Sequence, residues 1–398
     1  MNPELNKLQP YPFEKLNALK QGITPPASKN HIALSIGEPK HLSPIFVLDE
    51  IAMNLKGIGS YPLTRGLPEL RQAIVDWNIK RYQLPTSSLD AEKNVLPVSG
   101  TREALFAFAQ AIVDRTSNPL VMMPNPFYQI YEGAALLAGA EPYFMNTTSA
   151  TGFIPDFDAV PETVWQRCQL LYLCSPGNPT GTVMSIEILQ KVIQLADKYD
   201  FIIASDECYS EIYFDEEQPP PGILEAAHKM GRDDFKRCIA FNSLSKRSNL
   251  PGLRSGFVAG DADLITGFLK YRTYHGSALP PPTQMASIKA WGDEIHVQEN
   301  RALYKKKING VYDSLSKVLT LSKPEASFYL WPETPIDDAE FARGLFAQQN
   351  ITILPGQYLS RMANNLNPGQ NRIRIALVAS AEECMEAADR LSQYVNSL

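Results

Sequence analysis

The sequence contains no C-x-x-C pair: its five cysteines, Cys168, Cys174, Cys208, Cys238 and Cys384, stand far apart, several of them inside apolar runs. That spacing offers neither a thiol-clamped metal nor a disulfide framework, and it fits reduced thiols packed in a core. Histidine is as scarce. His31, His41, His228, His275 and His296 never approach one another at ligand spacing and no H-E-x-x-H occurs, so no metal site is expected. No apolar run reaches the length of a membrane span, and residues 1–20 mix Glu, Asn, Lys and Pro with no hydrophobic stretch of a secretory signal. A cytoplasmic protein with no membrane partner is the expectation. Positive charge is not in excess either. The 37 Lys and Arg against 43 Asp and Glu leave a net charge of -6, and the basic residues are scattered, not gathered in an aromatic-interleaved groove. No nucleic-acid partner is expected, and the ligands to look for are small, acidic or zwitterionic.

What is present is the pattern of an α/β protein. With 398 residues, 44% of them hydrophobic, the chain is long enough for two domains, or for one large domain with a smaller one attached. Short apolar runs at 95–98, 120–123, 142–145, 170–174, 201–205 and 238–242 alternate with helical patterns, as strands joined by crossover helices do in a mostly parallel sheet. The clearest helix spans 102–113, where Leu105, Phe108, Ala109 and Ile112 form one apolar stripe. Between residue 242 and the run at 256–259 the chain is too short, and too broken by Gly and Pro, for another crossover, so that strand is expected to be antiparallel. Pro280, Pro281 and Pro282 interrupt the chain again. The helical pattern from 283 to about 319 then reads as a connector into a smaller α+β domain holding 328–331, 339–349, 351–354, 373–377 and a last helix near 381–395. The expected division is a large domain at 46–283 and a small domain from both termini, 1–45 and 284–398, with an N-terminal arm.

Four constellations carry chemistry. Ser243-Leu244-Ser245-Lys246 is followed by Pro251-Gly252-Leu253-Arg254-Ser255-Gly256. A lysine that attacks an aldehyde must be partly deprotonated, which a buried and positively flanked pocket encourages, while Ser243, Ser245 and Arg254 suit a dianionic phosphate ester. A solvated loop with a lone lysine would match the same letters. Ser99-Gly100-Thr101 opens the helix near Arg102, where free backbone N–H groups and the macrodipole favour an anion and Gly100 permits its close approach; a plain N-cap would look alike. Asp206, in Ser205-Asp206-Glu207-Cys208-Tyr209, ends an apolar strand, where open sheets face their ligand crevice. A pyridine cofactor needs such an anion to keep its ring nitrogen protonated, with Tyr209 in reach of the ring's phenolic oxygen, although an acidic strand cap beside a packed tyrosine remains the plainer alternative. Finally Ser175-Pro176-Gly177-Asn178-Pro179-Thr180-Gly181 makes a stiff turn just after a strand, suited to aiming the Asn178 amide.

The P-G-N-P-T-G turn, the D-E-x-Y strand end and the S-x-S-K-x-x-x-x-P-G-x-R-x-G segment, in that order, resemble fold-type I aminotransferases of the aspartate aminotransferase superfamily, and the likeness spans nearly the whole chain. It implies pyridoxal 5'-phosphate as cofactor, bound covalently through Lys246, which would also shuttle the proton of the substrate's α-carbon. It further implies Asp206 on the pyridine nitrogen, Asn178 and Tyr209 on the ring O3', and Tyr128 stacked on the ring. Ser99, Gly100, Thr101, Ser243 and Arg254 would hold the phosphate, joined by Tyr61 from a neighbouring subunit, so a homodimer with shared sites is implied. Arg374, in Arg372-Ile373-Arg374-Ile375-Ala376-Leu377, would grip the substrate α-carboxylate, helped by the Gly37 backbone and Asn178. Amino acids and 2-oxo acids are the implied substrates.

A narrower resemblance lies in the stretches NPELNKLQPYPFEKLNALKQGITPP and YRTYHGSALPPPTQMASIKAWGDEIHVQENRALYKKK. They are similar to the N-succinyl-L,L-diaminopimelate aminotransferases of bacterial lysine synthesis, which implies transfer between glutamate and N-succinyl-2-amino-6-oxopimelate. Ser327 departs from that pattern, since relatives often carry glycine there. Substrates with several carboxylates need an additional cation, for which Arg102 and Arg272 are candidates; surface ion pairs on helix faces would account for either. An aspartate-like or broad aminotransferase, or a carbon-sulfur β-lyase, uses the same scaffold. A non-catalytic ligand sensor would need a DNA-binding appendage, and the residues before Gly37 are too few for one.

Overall fold

The computed structural model describes residues 1–398. Its centre is a seven-stranded sheet in the order Val95–Val98, Gly256–Gly260, Cys238–Ser243, Ile202–Asp206, Cys168–Cys174, Leu120–Asn125, Glu141–Asn146. Gly256–Gly260 runs antiparallel to both of its neighbours, and the other pairings are parallel. The short Gly- and Pro-bearing link before it permits nothing else.

The alternation of side chains along the strands divides the core in two. Leu171, Leu173 and Ile203 face one side, beneath the helices Pro68–Tyr82, Ile186–Tyr199 and Pro281–Trp291. Leu170, Tyr172 and Ala204 face the other, beneath Thr101–Ile112 and Ile130–Ala138. A sheet covered on both faces needs apolar residues at successive positions, which is why these strands read as continuous hydrophobic runs.

A third core joins the two ends of the chain. Ile32–Ala33 pairs in parallel with Ile351–Thr352. Ile32 and Leu34 pack with Ile308, Leu345, Ile373, Ile375 and Leu391. A separate three-stranded sheet places Ile373–Ala376 between Leu354–Pro355 and Tyr329–Leu330.

The expected single connector from 283 to 319 is two helices, Pro281–Trp291 and Ile295–Leu315. Gly292 caps the first, and the Asp293 carboxylate accepts the His296 N–H at 3.1 Å to start the second. Ala286, Ala290 and Trp291 of the first helix belong to the large core, and Ile308, Val311 and Leu315 of the second belong to the third core. No helix is long and apolar enough to cross a membrane.

Candidate active site

The parallel strands Leu120–Asn125, Cys168–Cys174, Ile202–Asp206 and Cys238–Ser243 end on one edge of the sheet, and the loops that follow them line a cleft of ≈ 520 Å³. Ligand crevices of open sheets form at such strand ends. Of the expected site residues, Gly37, Thr101, Tyr128, Asn178, Asp206, Tyr209, Ser243, Lys246, Arg254 and Arg374 all line this cleft.

Lys246 leaves its strand on the single turn Leu244–Arg247, whose start is capped by Ser243 Oγ accepting the Ser245 N–H at 3.3 Å. Its Nζ donates to the Gly37 carbonyl at 2.5 Å. Burial, together with the guanidiniums of Arg374 and Arg254, pulls the amine down to about 8, against the opposing pull of Cys208 and Glu38. A substantial neutral fraction near neutrality is what a nucleophilic amine requires.

Asp206 is buried and makes no ion pair. Its Oδ2 accepts from the Tyr131 hydroxyl at 2.6 Å and its Oδ1 from the Cys208 N–H at 3.2 Å. Burial pushes this carboxyl above the usual carboxylate range, opposed by those two donors and by Lys246. A cationic ring nitrogen supplies the countercharge such a group lacks.

At the start of Thr101–Ile112 the cap is Gly100, at φ +84°, with no side-chain cap bond. A Cβ there would stand 2.4 Å from Arg254 Nη2, so glycine alone lets the guanidinium lie across the helix start. Arg254 is oriented by the carbonyls of Pro251 at 2.9 Å and Ser99 at 3.4 Å, and Ser99 Oγ accepts from Ser277 Oγ at 3.2 Å. Free N–H groups, a planar guanidinium and the hydroxyls of Thr101, Ser243 and Ser245 form a donor set for a phosphate ester.

Arg374 is 4% exposed, with its guanidinium over the Tyr329 ring at 4.6 Å. Nη1 donates to Asn178 Oδ1 at 3.0 Å and Nη2 to the Ser35 carbonyl at 2.7 Å, while Nε is buried without a partner. A cleft-lining guanidinium with a donor unused is suited to a carboxylate. The turn that carries Asn178 is tight because Gly181, at φ +71°, would otherwise drive a Cβ to 2.5 Å from Pro324 Cβ.

The Aminotransferase class I and II family model matches residues 29–391. The chain belongs to that family. LL-diaminopimelate aminotransferase of Moorella thermoacetica is 31% identical over 99% of this chain and 98% of the relative. The Aquifex aeolicus protein of the same name is 31% identical over 97% of each. Among solved structures, an aminotransferase from Neisseria meningitidis is 50% identical at a TM-score of 0.94, covering 99% of this chain and 100% of its own. The aminotransferase AspB of Helicobacter pylori is 36% identical at 0.90, covering 98% and 100%. This chain is therefore a pyridoxal-phosphate-dependent aminotransferase of fold type I, and the phosphate donor set, the unpaired Asp206 and the depressed amine of Lys246 all fit that cofactor.

Four expected positions lie elsewhere. Tyr61 is fully exposed and does not reach the cleft of its own chain. Arg272 is fully buried, ion-paired with Glu103 and bonded to the Ser277 carbonyl at 3.0 Å, so its charge is already used away from the cleft. Ser99 and Gly100 shape the Arg254 site from behind without lining the cleft. Arg102 does line it, with its guanidinium over the Tyr11 ring at 5.3 Å. Sequence reasoning passed over Tyr131, which lies three residues after Tyr128 and turns inward on the same helical start to stack on Tyr172 at 4.6 Å. It also passed over Tyr329, whose hydroxyl meets that of Tyr209 at 2.8 Å. Ser327 sits at φ +68°, the conformation that favours glycine, and its Oγ accepts the Tyr329 N–H at 3.2 Å.

Proposed function

We propose that this aminotransferase exchanges the amino group between glutamate and N-succinyl-2-amino-6-oxopimelate, with Lys246 as the reacting amine. The observation that carries the substrate reading is the wall of the cleft. Tyr11, Pro12 and Phe13 line it beside Arg102, and they come from the N-terminal stretch that resembles enzymes of succinylated substrates. A long acceptor with several carboxylates needs a cation besides Arg374, and Arg102 is the arginine of the two candidates that the cleft exposes.

In this reading Arg374 and the Asn178 amide hold the α-carboxylate, each charged bond contributing roughly 1.5–3 kcal/mol. Pyridoxal 5'-phosphate supplies the electron sink that makes the α-proton acidic. Lys246 Nζ takes that proton up and returns it, which its lowered basicity permits near neutral pH. Asp206, which accepts the Tyr131 hydroxyl, would hold the cofactor's ring nitrogen, and Tyr209 with Asn178 would hold its ring oxygen. Thr101, Ser243 and Arg254, with the backbone at Ser99 and Gly100, would hold the phosphate, and Tyr128 would pack against the ring.

The names of the relatives favour a second reading, LL-diaminopimelate itself as amino donor. Transfer to 2-oxoglutarate from N-succinyl-LL-diaminopimelate and from LL-diaminopimelate, measured side by side, decides between them. Faster turnover of the free diamine would overturn the succinyl reading. A homodimer is part of the proposal. Leu42, Ile45, Ile58 and Leu63 are exposed in the same stretch of chain as Tyr61, apolar side chains that a second copy would cover while delivering that tyrosine to its neighbour's phosphate site. Sedimentation of the protein as a monomer at assay concentration would remove this part.

A further inference from the structure

Residues 246–249 are bonded to the connection between the two helices described above at every position. Asn300 Nδ2 donates to the carbonyls of Lys246 at 3.2 Å and Arg247 at 3.3 Å. Arg247 Nη1 donates to the Ala290 carbonyl at 2.7 Å and Nη2 to that of Asp293 at 3.1 Å. Ser248 Oγ meets His296 Nε2 at 2.8 Å, and Asn249 Nδ2 donates to Asn300 Oδ1 at 2.8 Å. Every partner lies in 290–300, where the chain leaves the large core, breaks at Gly292 and enters Ile295–Leu315. His296 and Asn300 are one turn apart and share a helix face.

Asn300 is buried and uses both ends of its amide. Its Nδ2 satisfies carbonyls at the end of a single helical turn that has no further residues to bond them. Its Oδ1 also meets His41 Nδ1 at 2.8 Å, on the loop whose Gly37 carbonyl accepts from Lys246 Nζ at 2.5 Å. The 37–41 loop thus meets the Lys246 amine directly and the Lys246 backbone through Asn300, which is the common joint. The far end of the Asn300 helix packs in the third core through Ile308, Val311 and Leu315. Any rotation of that core against the sheet acts on the Lys246 backbone through two hydrogen bonds.

We propose that Asn300 is a positioning residue for transamination, tying the backbone beneath Lys246 to the helix that carries the small core, so that the place of the reacting amine follows the setting of one core against the other. The proposal rests on the assignment of Lys246 as the reacting amine. None of the charged groups around that amine, Glu38, Arg374, Arg254 and the buried Asp206, is bonded to Asn300.

Trace acetylation of the cofactor-free protein across pH, read by mass spectrometry peptide by peptide, tests it. In Asn300→Ala the labelling midpoint of Lys246, about 8 in the parent, is expected to move toward the ordinary lysine value of 10.5 as the freed side chain gains water. Lys307, buried on the same helix and also titrating at about 8, is expected not to move. In the holoenzyme kcat is expected to fall by roughly tenfold while KM for glutamate changes by less than about twofold. Ser248→Ala, which removes the bond to His296 and the acceptor of Arg247 Nη1 at 3.0 Å while leaving both Asn300 bonds in place, serves if Asn300→Ala does not fold, with a smaller shift in the same direction. An unmoved Lys246 midpoint, or Lys246 and Lys307 moving together as in a loosened helix, overturns the proposal. Borohydride reduction of the parent holoenzyme separates the two ideas: a label on a lysine other than Lys246 sinks the assignment itself.

Discussion

Arg374 Nη1 donates to Asn178 Oδ1 at 3.0 Å, joining a strand of the third core to the stiff turn after Cys168–Cys174 across 196 residues of sequence. The bond fixes one side of the guanidinium and leaves its buried Nε without a partner, as the proposed grip on a carboxylate requires. Arg374→Lys keeps the charge but loses the fork. With two charge-assisted bonds at stake, kcat/KM for glutamate is expected to fall by roughly a hundredfold or more, while the melting temperature changes little. Steady-state kinetics of the folded variant check this, and an unchanged KM for every amino donor would remove Arg374 from substrate binding.

The hydroxyl of Tyr131 is the shortest donor to Asp206, and its ring is already fixed by the stack on Tyr172. Tyr131→Phe keeps the stack and deletes the bond. Asp206 then rises further from the usual carboxylate range, because burial is the dominant influence on it and one of its two hydrogen-bond donors is gone. Affinity of the cofactor-free protein for pyridoxal 5'-phosphate is expected to drop by roughly fivefold to tenfold, as for one lost buried hydrogen bond. Absorbance titration measures it. Binding equal to that of the parent would show that Tyr131 only packs.

The layout of the molecule could be read from the sequence where local rules suffice. Doubly covered strands announce themselves as apolar runs, and the short link before Gly256 forces the antiparallel strand. Lys246, Asp206 and Asn178 could be grouped from the sequence because each lies at or after the end of a parallel strand, and Arg254 because it precedes the antiparallel strand that starts on the same edge. Tyr131 and Tyr329 could not, since their partners Asp206 and Tyr209 lie 75 and 120 residues away and only the packing of separate elements brings them together. The break at Gly292 was hidden by charged, helix-favouring residues on both sides, which continue the pattern across a change of core. Tyr61 cannot be placed by one chain at all.

Stability of the cofactor-free protein depends on pH through its buried amines. Lys246 and Lys307 titrate at about 8 when folded, and the ordinary lysine value is 10.5. Above about 8 the unfolded chain therefore binds more protons than the folded one, so unfolding free energy rises with pH through that interval. Below it both states are charged and these two groups add no slope. Urea midpoints of the cofactor-free protein across the interval are expected to show the rise, and Lys307→Met is expected to flatten it in part. A parent and a variant with the same slope would show that Lys307 is hydrated in solution.

Arg102 and Arg272 look interchangeable in sequence, and the structure separates them. Arg102 is exposed to the cleft, and its planar cation lies over the Tyr11 ring of the N-terminal arm, which leaves its hydrogen-bond donors free for a distal carboxylate. Arg272 is sealed between Glu103 and the Ser277 carbonyl, so its removal leaves a half-buried carboxylate without its partner and takes nothing from a substrate. Arg102→Ala is expected to raise KM for N-succinyl-LL-diaminopimelate by roughly tenfold or more, the equivalent of one charged hydrogen bond, with KM for glutamate nearly unchanged. Arg272→Ala is expected to lower the melting temperature and to affect both substrates alike. The comparison is made on one preparation of each variant with both substrates, so a folding defect appears in both columns and a specificity defect in only one. Equal effects of Arg102→Ala on the two substrates would move the distal carboxylate away from Arg102, and with it the main support for a succinylated acceptor.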